Sequence, residues 1–249
     1  MIKLVSVTWS YEDTLDIKNT RLYKSFIKLN DKNNFYHIHF NRNKYKNLEK
    51  EFSDKFGHQY EFLLYRIFLL KEELSKLNFD WIIFSDSNDV VCLSKLDEIS
   101  FDLNNRIIFS SEKHRYPNEQ NVTDWKPNFR YNSFDTQSKN YLNAGLSIGK
   151  KQTYFELFTY CIDNVFNKHY KNFGGDQGVF TYYYINSDNL ITLDKDTKYF
   201  LSTYLDSPSN YSFSNGKLKN LISGQFPHFI HDNGWNYGSP KFIEHFKML

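Results

Sequence analysis

Two spacings of apolar residues alternate along the first third of the chain. Residues 4–8 are apolar and β-branched and predict a first strand, which runs into a polar loop at 10–14. Leu15, Leu22, Phe26 and Leu29 fall on one stripe at helical spacing, which predicts a helix over 15–29. Residues 35–40 (Phe-Tyr-His-Ile-His-Phe) alternate with period two, so a second strand is expected there. A second helix is expected over 60–77, with Phe62, Ile67, Leu70 and Leu74 among its apolar positions. Residues 81–84 (Trp-Ile-Ile-Phe) form a continuous apolar run, the pattern of a central parallel strand buried on both faces. Strand–helix–strand–helix–strand predicts a parallel α/β sheet, and such sheets bind ligands at the carboxyl ends of their strands.

Further on the pattern is mixed. Strands are expected over 106–110, 141–148, 190–193 and 227–231, and helices over 152–167, 176–185 and 240–248. Residues 113–140 and 202–226 are polar, aromatic and weakly periodic, and read as long loops of the kind that form lids or binding surfaces. No repeat and no Pro/Gly/Ser-rich linker divides the chain, so one domain over 1–249 is expected.

Composition narrows the function classes. Lys and Arg total 31 against 29 Asp and Glu, a net charge of +2, which lacks the basic excess of a nucleic-acid binder. The longest apolar runs are far below the roughly 20 residues of a membrane span. The N-terminus also lacks the apolar stretch of a signal peptide, so a cytoplasmic protein is expected. Cys92 and Cys161 are too few for a disulfide framework or a Cys-based zinc site, and each is expected to be a small buried hydrophobe. Ala144 is the single alanine, beside 24 Phe and 19 Tyr, a bias that points to an AT-rich genome rather than to chemistry. GxGxxG, P-loop, GxSxG and HExxH motifs do not occur.

Candidate chemistry begins where the third strand ends, at Ser85-Asp86-Ser87-Asn88-Asp89. A tight turn can aim Asp86 and Asp89 at one hard cation and leave positions for water and phosphate oxygens. The plainer alternative makes Asp86 a turn former and leaves Asp89 solvated. His228 and His231 flank Phe229-Ile230, and His231 opens the turn Asp232-Asn233-Gly234-Trp235. Two carboxylates and one imidazole would suit Mn²⁺; a merely hydrogen-bonded His231 is the alternative. Asn143-Ala144-Gly145 reads as a bulged strand, either an ordinary bulge or one that brings backbone amides close to a ligand. Gly174-Gly175-Asp176-Gln177-Gly178 places Asp176 and Gln177 at a helix N-terminus, where Asp176 could act on a substrate or serve as a cap.

In this order the segments resemble those of a known family. Phe84-Ser85-Asp86-Ser87-Asn88-Asp89-Val90-Val91 resembles the FxDxxDV metal segment of the glycosyltransferase domain of procollagen lysyl hydroxylases. Ile108-Phe109-Ser110-Ser111-Glu112 followed by Tyr116-Pro117 resembles its LFSAE…CWP segment. Tyr141-Leu142-Asn143-Ala144-Gly145-Leu146-Ser147-Ile148-Gly149 resembles its FLNSGGFIG strand, Asp176-Gln177 the end of its DDDQ run, and His231-Asp232-Asn233-Gly234 its HGNG turn.

The resemblance implies a GT-A-type α/β fold: a Rossmann-like, mostly parallel sheet flanked by helices, with a nucleotide-binding half near 1–110 and a sugar and acceptor half near 111–249. It implies Mn²⁺ on Asp86, Asp89 and His231, holding a UDP-sugar, with Asp176 and Gln177 at the reacting centre. Glu112, Tyr116, Asn143, Gly145, Asn233, Gly234 and Trp235 would line the substrate site. The implied activity is transfer of glucose or galactose to a hydroxyl, such as hydroxylysine or galactosyl-hydroxylysine in a collagen-like chain, with a bacterial or viral glycan as the rival acceptor. Non-catalytic binding of UDP-sugar or glycan is the alternative, and nucleotide-sugar hydrolysis a third. Two departures stand out: Gly174-Gly175 replace acids of the family's run, and Asp232 replaces a glycine, which is expected to add negative charge beside the metal.

Overall fold

The computed structural model describes residues 2–10, 16–56, 62–100, 106–113, 141–166, 175–186, 190–233 and 241–248. Strand β1 (Ile2–Ser10) is followed by α1 (Arg21–Leu29), β2 (Phe35–Asn41), α2 (Arg42–Phe56), α3 (Phe62–Ser75) and β3 (Trp81–Asp86). Helix α1 starts later than its apolar stripe suggests, because the Thr20 hydroxyl accepts the Tyr23 N–H and caps it there. Leu22 and Phe26 are buried, whereas Leu29 is exposed and Leu15 lies outside the described residues. Helix α2 was not expected, since residues 42–56 are rich in Lys, Asn and Glu with few apolar positions. Its start is signalled instead by Asn41, whose Oδ1 accepts the N–H of Asn43 at 2.8 Å.

After β4 (Val90–Cys92) come β5 (Ile107–Glu112), β6 (Tyr141–Lys150), α4 (Lys151–Cys161), α5 (Gly175–Asn186), β7 (Ile191–Asp194), β8 (Phe200–Ser202), β9 (Tyr211–Ser214), β10 (Lys217–Asn220), β11 (Phe229–His231) and α6 (Phe242–His245). The central sheet has the order β2-β1-β3-β6-β5-β7. β1 pairs parallel with β2 and β3, and β5 with β7, but β6 runs antiparallel to both its neighbours. The parallel expectation therefore holds on either side of one reversed strand. That reversal places the N-terminal end of β6 beside the carboxyl ends of β3 and β5. The β5–β6 register breaks between Phe109 and Ser110, which pair with Ser147 and Asn143, so the expected bulge falls at Ala144-Gly145-Leu146.

β4, β11 and β8 form a separate three-stranded sheet. β8 and the β9–β10 hairpin lie in or beside the stretch expected to be loop. The hairpin turns at Asn215-Gly216 with φ of 50° and 74°, the left-handed conformation that an Asn-Gly pair favours. Helix α4 gives way to a π-helical turn (Ile162–Phe166), and α6 is a single short turn within the expected 240–248. No helix among the described residues is long and apolar enough to cross a membrane.

The main sheet is covered on both faces. Val5, Val7, Ile82 and Phe84 pack against α3, α4 and α5, while Leu4, Ile83, Leu146 and Ile148 pack with Leu22 and Phe26 of α1 and with Phe200 and Phe229. Cys92 and Cys161 are buried free thiols, as expected. Phe158 joins three elements: its ring centroid lies 6.3 Å from Phe84 on β3 and 6.1 Å from Phe180 on α5. Truncation of this buried ring, Phe158→Ala, should cost about 3–5 kcal/mol in urea unfolding.

Candidate functional site

β3 ends at Asp86, and the turn Ser87-Asn88-Asp89 leads directly into β4. β4 is antiparallel to β11, with Val90 opposite His231, so sheet pairing carries the imidazole to the two carboxylates. One ligand atom from each of Asp86, Asp89 and His231 lies within 4.8 Å of the others. His231 Nε2 is 3.3 Å from Asp89 Oδ2 and 3.8 Å from Asp86 Oδ2. The acid side chains keep 27% and 28% exposure against 6% for His231. The imidazole is thus the back wall of the site, and the carboxylates face its opening. A plain turn-forming role for the acids does not account for a third donor converging on them.

The orientation of the imidazole is fixed from behind. Glu112, at the end of β5, is 3% exposed. Its Oε2 accepts from Asn143 Nδ2 (2.9 Å) and Asn233 Nδ2 (2.8 Å), and its Oε1 from Gln177 Nε2 (2.9 Å). Three amide donors converge on two oxygens, so towards all three Glu112 acts as an acceptor, the role a carboxylate fills. With its Nδ2 held by Glu112, Asn143 turns Oδ1 towards His231 Nδ1 (2.9 Å) and the Gly145 N–H (3.0 Å). An amide oxygen cannot donate, so His231 carries its proton on Nδ1. In the neutral ring Nε2 then presents a lone pair to the space between Asp86 and Asp89. This tautomer, fixed by an outer carboxylate and amide, is what a metal-binding histidine requires.

Gly145 is part of the same construction. A Cβ at this position would lie 2.9 Å from Asp86 Oδ2 and closer still to the His231 ring. Any side chain here would push the ligands apart, so the bulge brings backbone against the ligand set. The donor types, the oriented Nε2 and this bare backbone all fit a divalent cation.

The first turn of α5 supplies Asp176 and Gln177. Gln177 Oε1 accepts the Ala144 N–H (3.1 Å) while its Nε2 holds Glu112, which ties α5 to the β6 bulge. Asp176 is 4% exposed, and both its oxygens are engaged: Oδ1 accepts the Gln177 N–H, and Oδ2 is bonded by Arg66. Arg66 was not anticipated from the sequence. Its signal was a single cation inside the apolar run Phe62–Leu70, since a buried guanidinium requires a carboxylate partner.

Asp232 corrects an expectation. Its carboxylate accepts the N–H groups of Phe242 and Ile243 and the Thr203 hydroxyl. The charge is therefore taken up by the start of α6 and is not added to the ligand set. Asn233 joins the Glu112 network and also accepts from Thr203 N–H and Tyr204 N–H. His228 bonds Ser94 Oγ at 2.8 Å and stands apart from the cluster. Tyr116, Gly174, Gly234 and Trp235 lie outside the described residues.

Charge is concentrated here. Burial pulls the His231 pKa down, but the carboxylates of Asp89, Asp86 and Glu112 outweigh it and raise it to about 9. Burial raises Asp86 to about 6 against the pull of Arg66 and His231. Burial also raises Glu112, against its bonds from Gln177, Asn143 and Asn233. These raised values mean that without a cation protons are held on His231 below about pH 9 and on Asp86 below about pH 6. A divalent cation must displace them, so its affinity should rise with pH from about 6 to about 9 and then level off. Calorimetry in buffers of different ionisation enthalpy should detect proton release at pH 7. Removing the amide relay should weaken the site without taking away a donor of the triad: Asn143→Ala should lower divalent-cation affinity by about 10–100-fold in the same titration.

No curated protein matches the chain in sequence. Among solved structures, a glycosyltransferase involved in glycosylation of the major capsid of PBCV-1 superposes with a TM-score of 0.51 at 13% identity, covering 100% of this chain and 99% of the other. The apo structure of the bifunctional glycosyltransferase WbbM gives a TM-score of 0.49 at 14% identity, covering 99% of this chain, which spans 51% of that protein. The PBCV-1 likeness identifies the mixed α/β sheet as the GT-A glycosyltransferase fold. The family model of the PLOD GT domain matches residues 14–239, which include the Asp86–Asp89–His231 group and its amide network, and the chain belongs to this family of glycosyltransferases.

Proposed function

We propose that this transferase moves a hexose, glucose or galactose, from a UDP-sugar to a hydroxyl acceptor with Mn²⁺ as its cation. The observation that carries this reading is the convergence of Asp86, Asp89 and His231 Nε2 at the carboxyl end of β3. Mn²⁺ accepts both carboxylate and imidazole donors, and when bound it would supply charge neutralisation for the departing UDP diphosphate.

The chain's own groups provide the rest. The Asp86–Asp89 turn orients the donor against the end of β3. His231, fixed by Asn143, forms the wall of the site, and Glu112 holds the amides of Asn143, Gln177 and Asn233 in one arrangement. Asn143 and Gln177 are the polar groups proposed to face the sugar, with Gly145 giving the donor close access to backbone. Gln177 and Asp176 form the side of the site next to the reacting carbon. Asp176, proposed as the group that receives the acceptor proton, already accepts from Arg66 and from the Gln177 N–H.

For the acceptor we propose hydroxylysine or galactosyl-hydroxylysine in a collagen-like chain, on the strength of family membership. A viral capsid glycan is the competing class, because a protein of the same fold acts in capsid glycosylation.

The test is release of UDP from UDP-glucose and UDP-galactose, with and without Mn²⁺ and with each acceptor class. Turnover should require Mn²⁺ and rise with the true acceptor rather than with water. Asp86→Ala and Asp89→Ala should reduce it to background while the melting temperature holds. UDP should bind far more weakly in chelator, since its phosphates and the cation act as one electrostatic unit. Metal-independent turnover, or normal turnover in either Asp variant, would contradict the proposal.

A further inference from the structure

Arg66 stands in the middle of α3, 6% exposed, and carboxylates from two other elements meet its guanidinium. One terminal nitrogen bonds Asp176 Oδ2 in the first turn of α5, and the other lies 3.7 Å from Asp86 Oδ1 at the end of β3. Asp86 is therefore shared. Its Oδ1 looks towards Arg66, and its Oδ2 lies 3.8 Å from His231 Nε2, on the side of the cation site. A small cavity of about 30 Å³, lined in part by Arg66, Asp86, Asp176, Ala144 and Tyr154, leaves space beside the guanidinium for about one water.

A guanidinium and a divalent cation are rivals for the same carboxylate. Arginine cannot yield by losing its proton, so it must be held elsewhere. Asp176 has both the charge and the position to hold it. Capping alone would not need that charge, because an asparagine oxygen could accept the Gln177 N–H equally well.

We propose that Asp176 is a positioning residue for the cation site: by engaging Arg66 it keeps the guanidinium from closing on Asp86 and leaves that carboxylate to the cation. The inference rests on the Asp86–Asp89–His231 triad being a cation site, and it gives Asp176 a task separate from any contact with substrate.

The experiment is calorimetric titration of the full chain with Mn²⁺ alone, for wild type, Asp176→Asn, Arg66→Met and the double variant, with melting temperatures recorded. Asp176→Asn should weaken Mn²⁺ binding about tenfold, the loss expected when a freed guanidinium pairs with a ligand carboxylate. Arg66→Met should not weaken it, and in the double variant affinity should return to within about twofold of wild type. If Arg66→Met fails to fold, Arg66→Gln provides the same neutralisation with a polar side chain. Unchanged affinity in Asp176→Asn, or a double variant as weak as that single one, would overturn the inference while the cation site stands. A wild-type protein that binds no Mn²⁺, or Asp86→Ala that binds it normally, would overturn the cation site and this inference with it.

Discussion

The carboxylate of Glu112 is the interaction on which the rest of the site depends. Burying an ionised carboxylate costs several kcal/mol unless hydrogen bonds replace its water. Here three amide donors do so, each worth about 1.5–3 kcal/mol to a charged acceptor. The donors come from β6, α5 and the turn after β11, so one buried charge joins three elements distant in sequence. Because a carboxylate only accepts, each amide can adopt one orientation. The consequence passes through Asn143 to His231 and decides which imidazole nitrogen faces Asp86 and Asp89.

The fold delivers these groups through a departure from the parallel pattern. Were β6 parallel to β3, its N-terminal residues would lie at the far end of the sheet. Running antiparallel, it brings Asn143 and Gly145 beside Asp86 and Glu112. The bulge then turns the glycine backbone against the ligands, where no Cβ fits. Arg66 and Asp176 complete the electrostatics, as the guanidinium offsets part of an acid cluster that would otherwise repel itself.

Much of this was legible in residue order. The apolar run at 81–84 and the acids just after it located the strand end and two carboxylates of the Asp-Asp-His group, because a strand buried on both faces leaves polar residues only where it emerges. The Asn-Ala-Gly bulge and the helix start at Asp176 were likewise local signals, and the order of the five segments matched a family that the chain proves to join. Other features depend on contacts distant in sequence. Arg66 is one charge in an apolar helix, and only the packing of α3 against α5 and β3 reveals its two partners. Asp232 looked like added charge at the metal, and only the placement of α6 shows that its carboxylate caps that helix. Helix α2 has too few apolar positions to show a helical stripe, and the β9–β10 hairpin is signalled locally only by its Asn-Gly turn.

The most direct measurement is anomalous diffraction at the manganese edge from crystals grown with Mn²⁺ and UDP. The expected result is one peak within about 2.0–2.6 Å of carboxylate oxygens of Asp86 and Asp89 and of His231 Nε2. The UDP phosphates should lie on the open side, with the bonds from Glu112 to Asn143 and from Asn143 to His231 Nδ1 intact. A peak bound elsewhere, or a His231 ring turned so that Nε2 points away from the ion, would contradict the account.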